Sequence, residues 1–276
     1  MTVDAPALHR LNHDFAWPSP AGPFDVITSA QAAIFDRDGF IVVEDAFTVE
    51  EIAAVRDEID RHEQRVETFL ARLDDQRIGI AEAGAITFTI NLAHRVDPLR
   101  EFVQHPVLLG LCRDLIGPDV DLYWDQAVYK KPEKPRRFPW HQDNGYTLVE
   151  PQYYLTCWIA LTDATIDNGC PVVAPGLHRV GTYEHTYVDP LGWQIFDEPT
   201  RSVAAPVRAG SIVVFSSLTP HMTGPNLTNS VRKAYIVQYS AAGAHIVSDD
   251  GGDSTTSRPV SGEPHVFPVL RNAHRP

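Results

Sequence analysis

The sequence predicts an all-β core with added helices (α+β). The expected core is a double-stranded β-helix, the jelly-roll or cupin-like arrangement, flanked by N-terminal helices. Three observations lead there. Up to residue 118 the apolar residues follow helical spacing and helix-start signals, whereas from 119 onward short apolar runs alternate with Gly, Pro and Asn. Many short strands with turn signals between them suit a sandwich or barrel. No helical stretch separates those strands, which argues against a parallel α/β sheet.

Residues 1–27 are rich in Pro and aperiodic. They read as an arm that lies on the body or is disordered. Ser29–Asp38 reads as a short helix and Phe40–Val43 as a short apolar strand. Thr48 starts a strong helix, because Glu50 and Glu51 occupy its first turn and Ile52, Val55 and Ile59 follow at helical spacing. Residues 74–96 are ambiguous, with Gly79, Gly84 and the β-rich run Ile86-Thr87-Phe88-Thr89-Ile90. Two short helices follow near 97–104 and 106–116, and Gly117-Pro118 stops the second.

The first core strand is expected at 121–131, with Leu122, Trp124, Gln126 and Val128 on one face. A second, at 153–161, places Leu155, Cys157 and Ile159 opposite Thr156, Trp158 and Ala160. Further strands are expected at 171–174, 211–215 and Arg232–Ala241. Residues 180–205 interrupt the strands and hold Trp193 and Phe196 among polar residues, as a lid or insert would. The stretch 249–264 is rich in Gly, Ser, Thr and Pro and reads as a mobile loop. The expected organisation is one domain: arm 1–27, helical flank 28–118, core 119–245 carrying the insert, and tail 246–276.

Composition narrows the function. The chain has 276 residues, 43% hydrophobic and 21% charged, so it can bury a sizeable core without disulfides or structural metals. Its net charge of −13 repels nucleic acid and anionic membranes, so neither is an expected partner. Lys130, Lys131, Lys134, Arg136 and Arg137 are a local exception. They form either a solvated loop or a basic rim that attracts an anionic ligand. Cys112, Cys157 and Cys170 lie in apolar stretches and read as buried free thiols, which fits a reducing compartment. The N-terminus lacks the pattern of a signal peptide, and no apolar run is long enough to span a bilayer. The expected location is cytoplasmic.

The central motif is His141-Gln142-Asp143, with His221 far downstream. On an extended segment, residues two apart point the same way, so His141 and Asp143 face one site. A histidine from a distant strand completes a set of two imidazoles and one carboxylate. That set leaves open positions on a metal, the arrangement of non-haem iron(II) oxygenases. With 12 histidines and 36 acidic residues, one such pair is expected by chance, so its setting matters. It follows a strand and Pro139-Trp140, and Asn144-Gly145 follows it. His221 comes after the apolar run 211–215 and Thr219-Pro220, and Arg232 opens the next strand eleven residues on. An arginine there suits the distal carboxylate of a dicarboxylate co-substrate, which a guanidinium grips with two parallel hydrogen bonds. It could also make an ordinary edge-strand salt bridge. His178 reads as a structural histidine, since neither it nor His185 has metal-pair spacing.

Taken together, these phrases resemble the phytanoyl-CoA dioxygenase family. The match rests on Trp140-His141-Gln142-Asp143, then the run 167–179 (DNGCPVVAPGLHR), then His221 and Arg232. The opening DGFIVVEDAFTVEEIAAVRDEI is also similar to that family's, so the likeness spans about residues 30–245. It implies iron(II) on His141, Asp143 and His221. It implies 2-oxoglutarate held by Arg232, with a hydroxyl from Thr223 and with Gln126 and Trp158 lining its pocket. O₂ is then the oxidant, and succinate and CO₂ are released. Related halogenases lack the carboxylate ligand, so Asp143 argues for hydroxylation, or for desaturation or ring formation. Leu177 departs from the small hydroxyl residue usual in the family's loop. Asn144, Tyr146, Trp193 and the segment 74–96 are candidates to surround a small-molecule substrate, as a specialised biosynthetic pathway would use. Two other readings stay open: a zinc-dependent hydrolase or lyase on the same fold, and a non-catalytic jelly-roll binding protein.

Overall fold

A computed structural model describes residues 6–249 and 255–276. Its core is a jelly roll of two antiparallel layers. The larger sheet has nine strands. Its path runs Phe40–Val43, Ile212–Ser216, Leu155–Ala160, Arg232–Ala241, Val120–Lys130 and Ile86–Ile90, then the short strands Ala81–Glu82 and Arg77–Ile78. Phe267–Leu270 also pairs with Val120–Lys130. The smaller sheet runs Val203–Ala204, Pro171–Val173, His221–Thr223, Phe138–His141.

Period-two alternation gives the larger sheet two apolar faces. Leu155, Cys157, Ile159, Tyr235, Val237 and Tyr239 point outward and pack on the helices. Trp158, Ala160, Val213, Phe215, Ala234 and Ile236 point inward toward the smaller sheet. The helix Val49–Leu70 begins with a capping box between Thr48 and Glu51 and buries Ile52, Val55 and Ile59. Polar ties fix its register on the sheet. Asp60 accepts from Lys233 Nζ at 2.7 Å and from the Tyr129 hydroxyl at 2.6 Å. Glu63 meets Lys131 at 2.7 Å and accepts from Thr87 Oγ1 at 2.7 Å.

Several expectations change. Leu122 does not share a face with Trp124, Gln126 and Val128. Tyr239 pairs with Leu122 and Gln238 with Trp124, so Tyr123 is an extra residue in the ladder. This bulge inverts the alternation. Leu122 joins the helix-side core, while Tyr123 and Trp124 both reach the inner cavity. A helix at Leu92–Arg95 went unpredicted. It is only four residues long with no side-chain cap, and it is held from outside, where Asp125 accepts from the Leu92 and Ala93 amides and from Tyr235. Strand ends differ by one or two residues from those expected.

The mobile loop expected at 249–264 is corrected for 255–264. Thr255–Pro259 pairs with His245–Asp249, and a 3-10 turn follows at Val260–Gly262. All five residues of that strand are exposed, so no apolar pattern marks it in the sequence. Residues 250–254 lie outside the described residues. Within 180–205, the strands Thr186–Val188 and Gly192–Gln194 form a hairpin, and the next residue, Ile195, donates its amide to the Trp140 carbonyl. From residue 6 the N-terminal arm lies on the body. Asp114 accepts the amides of Asp25, Val26 and Ile27, and Glu184 donates its amide to the Ala7 carbonyl.

Much of the basic run is tied down by ion pairs and backbone carbonyls, while Lys134 stays exposed as a solvated loop would have it. Lys131 pairs with Glu63 and Glu67, and Lys134 and Arg136 pair with Glu82. Lys130 is buried, and its ammonium donates to the carbonyls of Arg136, Thr223 and Gly224. All three cysteines are buried and free. Among the described residues, no helix is long and apolar enough to cross a membrane.

Candidate metal centre

His141 ends one strand of the smaller sheet, and His221 opens the next. They are direct cross-strand partners, with ring centroids 4.2 Å apart. Gln142 keeps an extended backbone (φ −103°, ψ 144°), so Asp143, the first residue of a 3-10 turn, returns to the same side as His141. Both imidazoles are set in the same way. His141 Nδ1 donates to the Pro139 carbonyl at 2.8 Å, and His221 Nδ1 donates to the Thr219 carbonyl at 2.9 Å. The proton is thereby kept on Nδ1, and the Nε2 lone pairs face Asp143 Oδ1 at 3.8 and 3.7 Å. The three ligand atoms lie within 4.8 Å of one another. Burial, and then the neighbouring His221, push the His141 imidazole well below its ordinary range, so it stays neutral as a ligand must.

Two residues that the sequence reading did not select complete this arrangement. Thr156 Oγ1 donates to Asp143 Oδ2 at 2.6 Å, and Gln238 Nε2 donates to Thr156 Oγ1 at 3.2 Å. One carboxylate oxygen is thus held by the larger sheet, and the other faces the imidazoles. The available signal was alternation, since Thr156 shares a strand face with Trp158. Gln142, fully buried between the two ligands, locks the loop. Its side chain donates to the Gly181 and Leu218 carbonyls and accepts from the Tyr183 amide. Its own amide donates to His185 Nε2 at 2.9 Å. Burial lowers His185 to about 4, which keeps it a neutral acceptor. The ring sits where a Cβ on residue 145 would be, so Gly145 is required there.

The three ligands line a cavity of about 500 Å³ between the two sheets. Arg232 forms its inner end and is 1% exposed. One guanidinium nitrogen, Nη1, donates weakly to the Val128 carbonyl at 3.3 Å, while Nε and Nη2 have no partner. The group stands 5.2 Å from the Trp158 ring centroid. Among the described residues, no carboxylate pairs with it. Burial therefore drives its pKa down to about 9. A buried cation with two idle N–H groups is costly by itself and suits an anion brought in by a ligand. Gln126, Trp158 and Thr223 line the same cavity. The donor set and the orphaned guanidinium therefore fit a divalent metal and a carboxylate-bearing co-substrate. Tyr146 stands near the mouth, at 39% exposure, with its ring 5.4 Å from that of His141.

Two candidates are corrected. Asn144 is buried away from the cavity, where it donates to Thr182 Oγ1 and accepts from the Val149 amide. The 3-10 turn that brings Asp143 inward turns Asn144 the other way. Trp193 stands on the outer hairpin against Tyr187, exposed, and does not line the cavity. From the segment 74–96, Ile78, Ile80, Ala81, Ile86, Phe88 and Ile90 do line it. His178 packs edge-on against Trp17 and bonds the Asp36 carbonyl at 3.2 Å, far from the metal ligands in role.

Comparison with known proteins agrees with this geometry. The family description "Phytanoyl-CoA dioxygenase (PhyH)" matches residues 35–234. Ectoine dioxygenase of Bordetella bronchiseptica is 27% identical over 240 residues, spanning 79% of this chain and 76% of that protein. Human peroxisomal phytanoyl-CoA dioxygenase is 25% identical over 261 residues, spanning 88% and 77%. Among solved structures, EvdO2 from Micromonospora carbonacea var. aurantiaca, complexed with 2-oxoglutarate, superposes with a TM-score of 0.62. It is 26% identical and covers 82% of this chain and 96% of EvdO2.

Proposed function

The chain belongs to the phytanoyl-CoA dioxygenase family and is a dioxygenase dependent on iron(II) and 2-oxoglutarate, and from that premise we propose how its residues divide the work. His141, Asp143 and His221 hold the iron. Arg232 grips the distal carboxylate of 2-oxoglutarate, Thr223 adds a hydroxyl, and Gln126 and Trp158 wall the pocket. The substrate, a small molecule of specialised metabolism, enters beside Tyr146 and is hydroxylated. Bound iron supplies the redox chemistry that couples 2-oxoglutarate and O₂ to hydroxylated product, succinate and CO₂.

The protein's part is positioning. Thr156 and Gln238 fix which Asp143 oxygen faces the metal. The Pro139 and Thr219 carbonyls fix the tautomers of the two imidazoles. Arg232 waits charged at the far end, in surroundings too dry to satisfy it alone. In this reading the chain is one oxygenase domain, with arm 1–27, flank 28–118, core 119–245, insert 180–205 and tail 246–276.

One observation carries the assignment: a two-histidine, one-carboxylate cluster and an unpaired buried guanidinium share one cavity. A zinc hydrolase would use the cluster and leave Arg232 without purpose. The test is an anaerobic titration of the metal-free protein with iron(II) and then 2-oxoglutarate. A weak visible charge-transfer band is expected only when both are present. Its absence, with metal still bound, would defeat the reading.

A further inference from the structure

The cavity has a second character beyond the metal ligands. Among the described residues lining it, Arg232 is the sole lysine or arginine and Asp143 the sole carboxylate. In the proposed function both are already committed, one to 2-oxoglutarate and one to the metal. Most of the nearby basic residues are already committed, and Arg137 does not line the cavity. Lys131, Lys134 and Arg136 are tied to Glu63, Glu67 and Glu82, and the Lys130 ammonium is used on three backbone carbonyls.

The walls toward the mouth are apolar. Phe88, Phe138 and Tyr146 form a continuous aromatic run, with ring centroids 6.0 and 6.4 Å apart. Ile78, Ile80 and Ile90 add aliphatic surface. Ile78 is 58% and Ile90 40% exposed, unusual for isoleucines gathered at one opening. The insert hairpin closes over the same place. At Gly192 (φ +103°) an added Cβ would lie 3.1 Å from Ile80 and 3.3 Å from the Tyr146 hydroxyl.

We propose that the substrate is an uncharged, predominantly apolar, ring-sized molecule, held between the isoleucine hairpin at Ile78 and Ile80 and the aromatic run Phe88–Phe138–Tyr146. This deepens the proposed function and rests on it, because it takes Arg232 as occupied by 2-oxoglutarate. A polyanion such as a coenzyme A thioester would bury charge with no cation to meet it, and a zwitterion would lack both partners. About 500 Å³, shared with the co-substrate, accommodates a drug-sized or smaller molecule.

The experiment uses the full chain loaded with zinc(II) and 2-oxoglutarate, so that nothing turns over. Loading is verified by calorimetry. Two fluorescent probes of comparable bulk are then titrated, neutral Nile red and anionic 1-anilinonaphthalene-8-sulfonate. Nile red should bind one-to-one and at least tenfold more tightly. Ile80→Lys should reverse that preference while leaving zinc and 2-oxoglutarate binding unchanged. Ile78→Lys, at a more exposed position, repeats the test should the first variant fold poorly. The proposal is overturned if the anionic probe binds as tightly as Nile red, if Nile red finds no single site, or if neither lysine changes the order. Failure of 2-oxoglutarate to load would instead strike the proposed function, so the two failures are distinguishable.

Discussion

At its inner end the cavity is walled by groups held from several sides, and at its mouth by side chains partly open to water. Arg232, Trp158 and the Thr156–Asp143 pair stand on the central strands of the larger sheet or lean against them, nearly dry. Ile78, Ile80 and Tyr146 stand on a two-residue hairpin strand, a turn and the position just after the 3-10 segment, partly exposed. The contrast separates two requirements. Shared chemistry needs fixed atoms, so it is built where packing allows one arrangement. Choice of substrate needs adjustable walls, so it is built where a residue can change at small cost to the fold.

Substitutions can break or sharpen that contrast. The largest effect is expected from His221→Ala. It should abolish stoichiometric iron binding and lower turnover by more than the roughly 10–100-fold typical of outer-shell partners. Calorimetry and succinate release measure it, and retained metal affinity would remove His221 from the centre. Next is Arg232→Met. It should weaken 2-oxoglutarate binding roughly 10- to 100-fold, the worth of a charge-assisted hydrogen bond or two, while iron affinity holds. Without co-substrate its melting temperature should match or exceed the parent's, because an apolar side chain replaces an unsatisfied buried cation. A clear fall in melting temperature would mean that the guanidinium is a structural group. Thr156→Val should weaken iron binding about tenfold by freeing Asp143 Oδ2, with little change in 2-oxoglutarate affinity. Equal loss of both would point to general collapse of the site. Smallest is Ile80→Ala, which should leave iron and 2-oxoglutarate affinities within about twofold and cost the fold about 1 kcal/mol. A large loss of co-substrate binding would show that mouth and floor are not separate.

The legible part of the site was what short spacing encodes. His141 and Asp143 could be paired because alternation survives through Gln142, and Arg232 because a strand opening with arginine is conspicuous. Thr156 and Gln238 were not, since their roles depend on which strand lies across the cavity. Asn144 and Trp193 failed for the opposite reason: closeness in sequence to a ligand or an insert says nothing about which way a turn sends the side chain. The fold shows the same limit. Helices with capping boxes and strands with buried faces were readable. The bulge at Tyr123 and the wholly exposed strand Thr255–Pro259 carry no apolar signature of their own.

The placement of the ligands carries one mechanical consequence. The two imidazoles belong to the smaller sheet, and the carboxylate between them is anchored to the larger one through Thr156. An ion at that point acts as a rivet through both layers, so its occupancy and the width of the gap between them become one property. Chelation should then loosen the layers where they meet, with faster amide exchange along Phe138–His141 and His221–Thr223, and with the outer helices undisturbed.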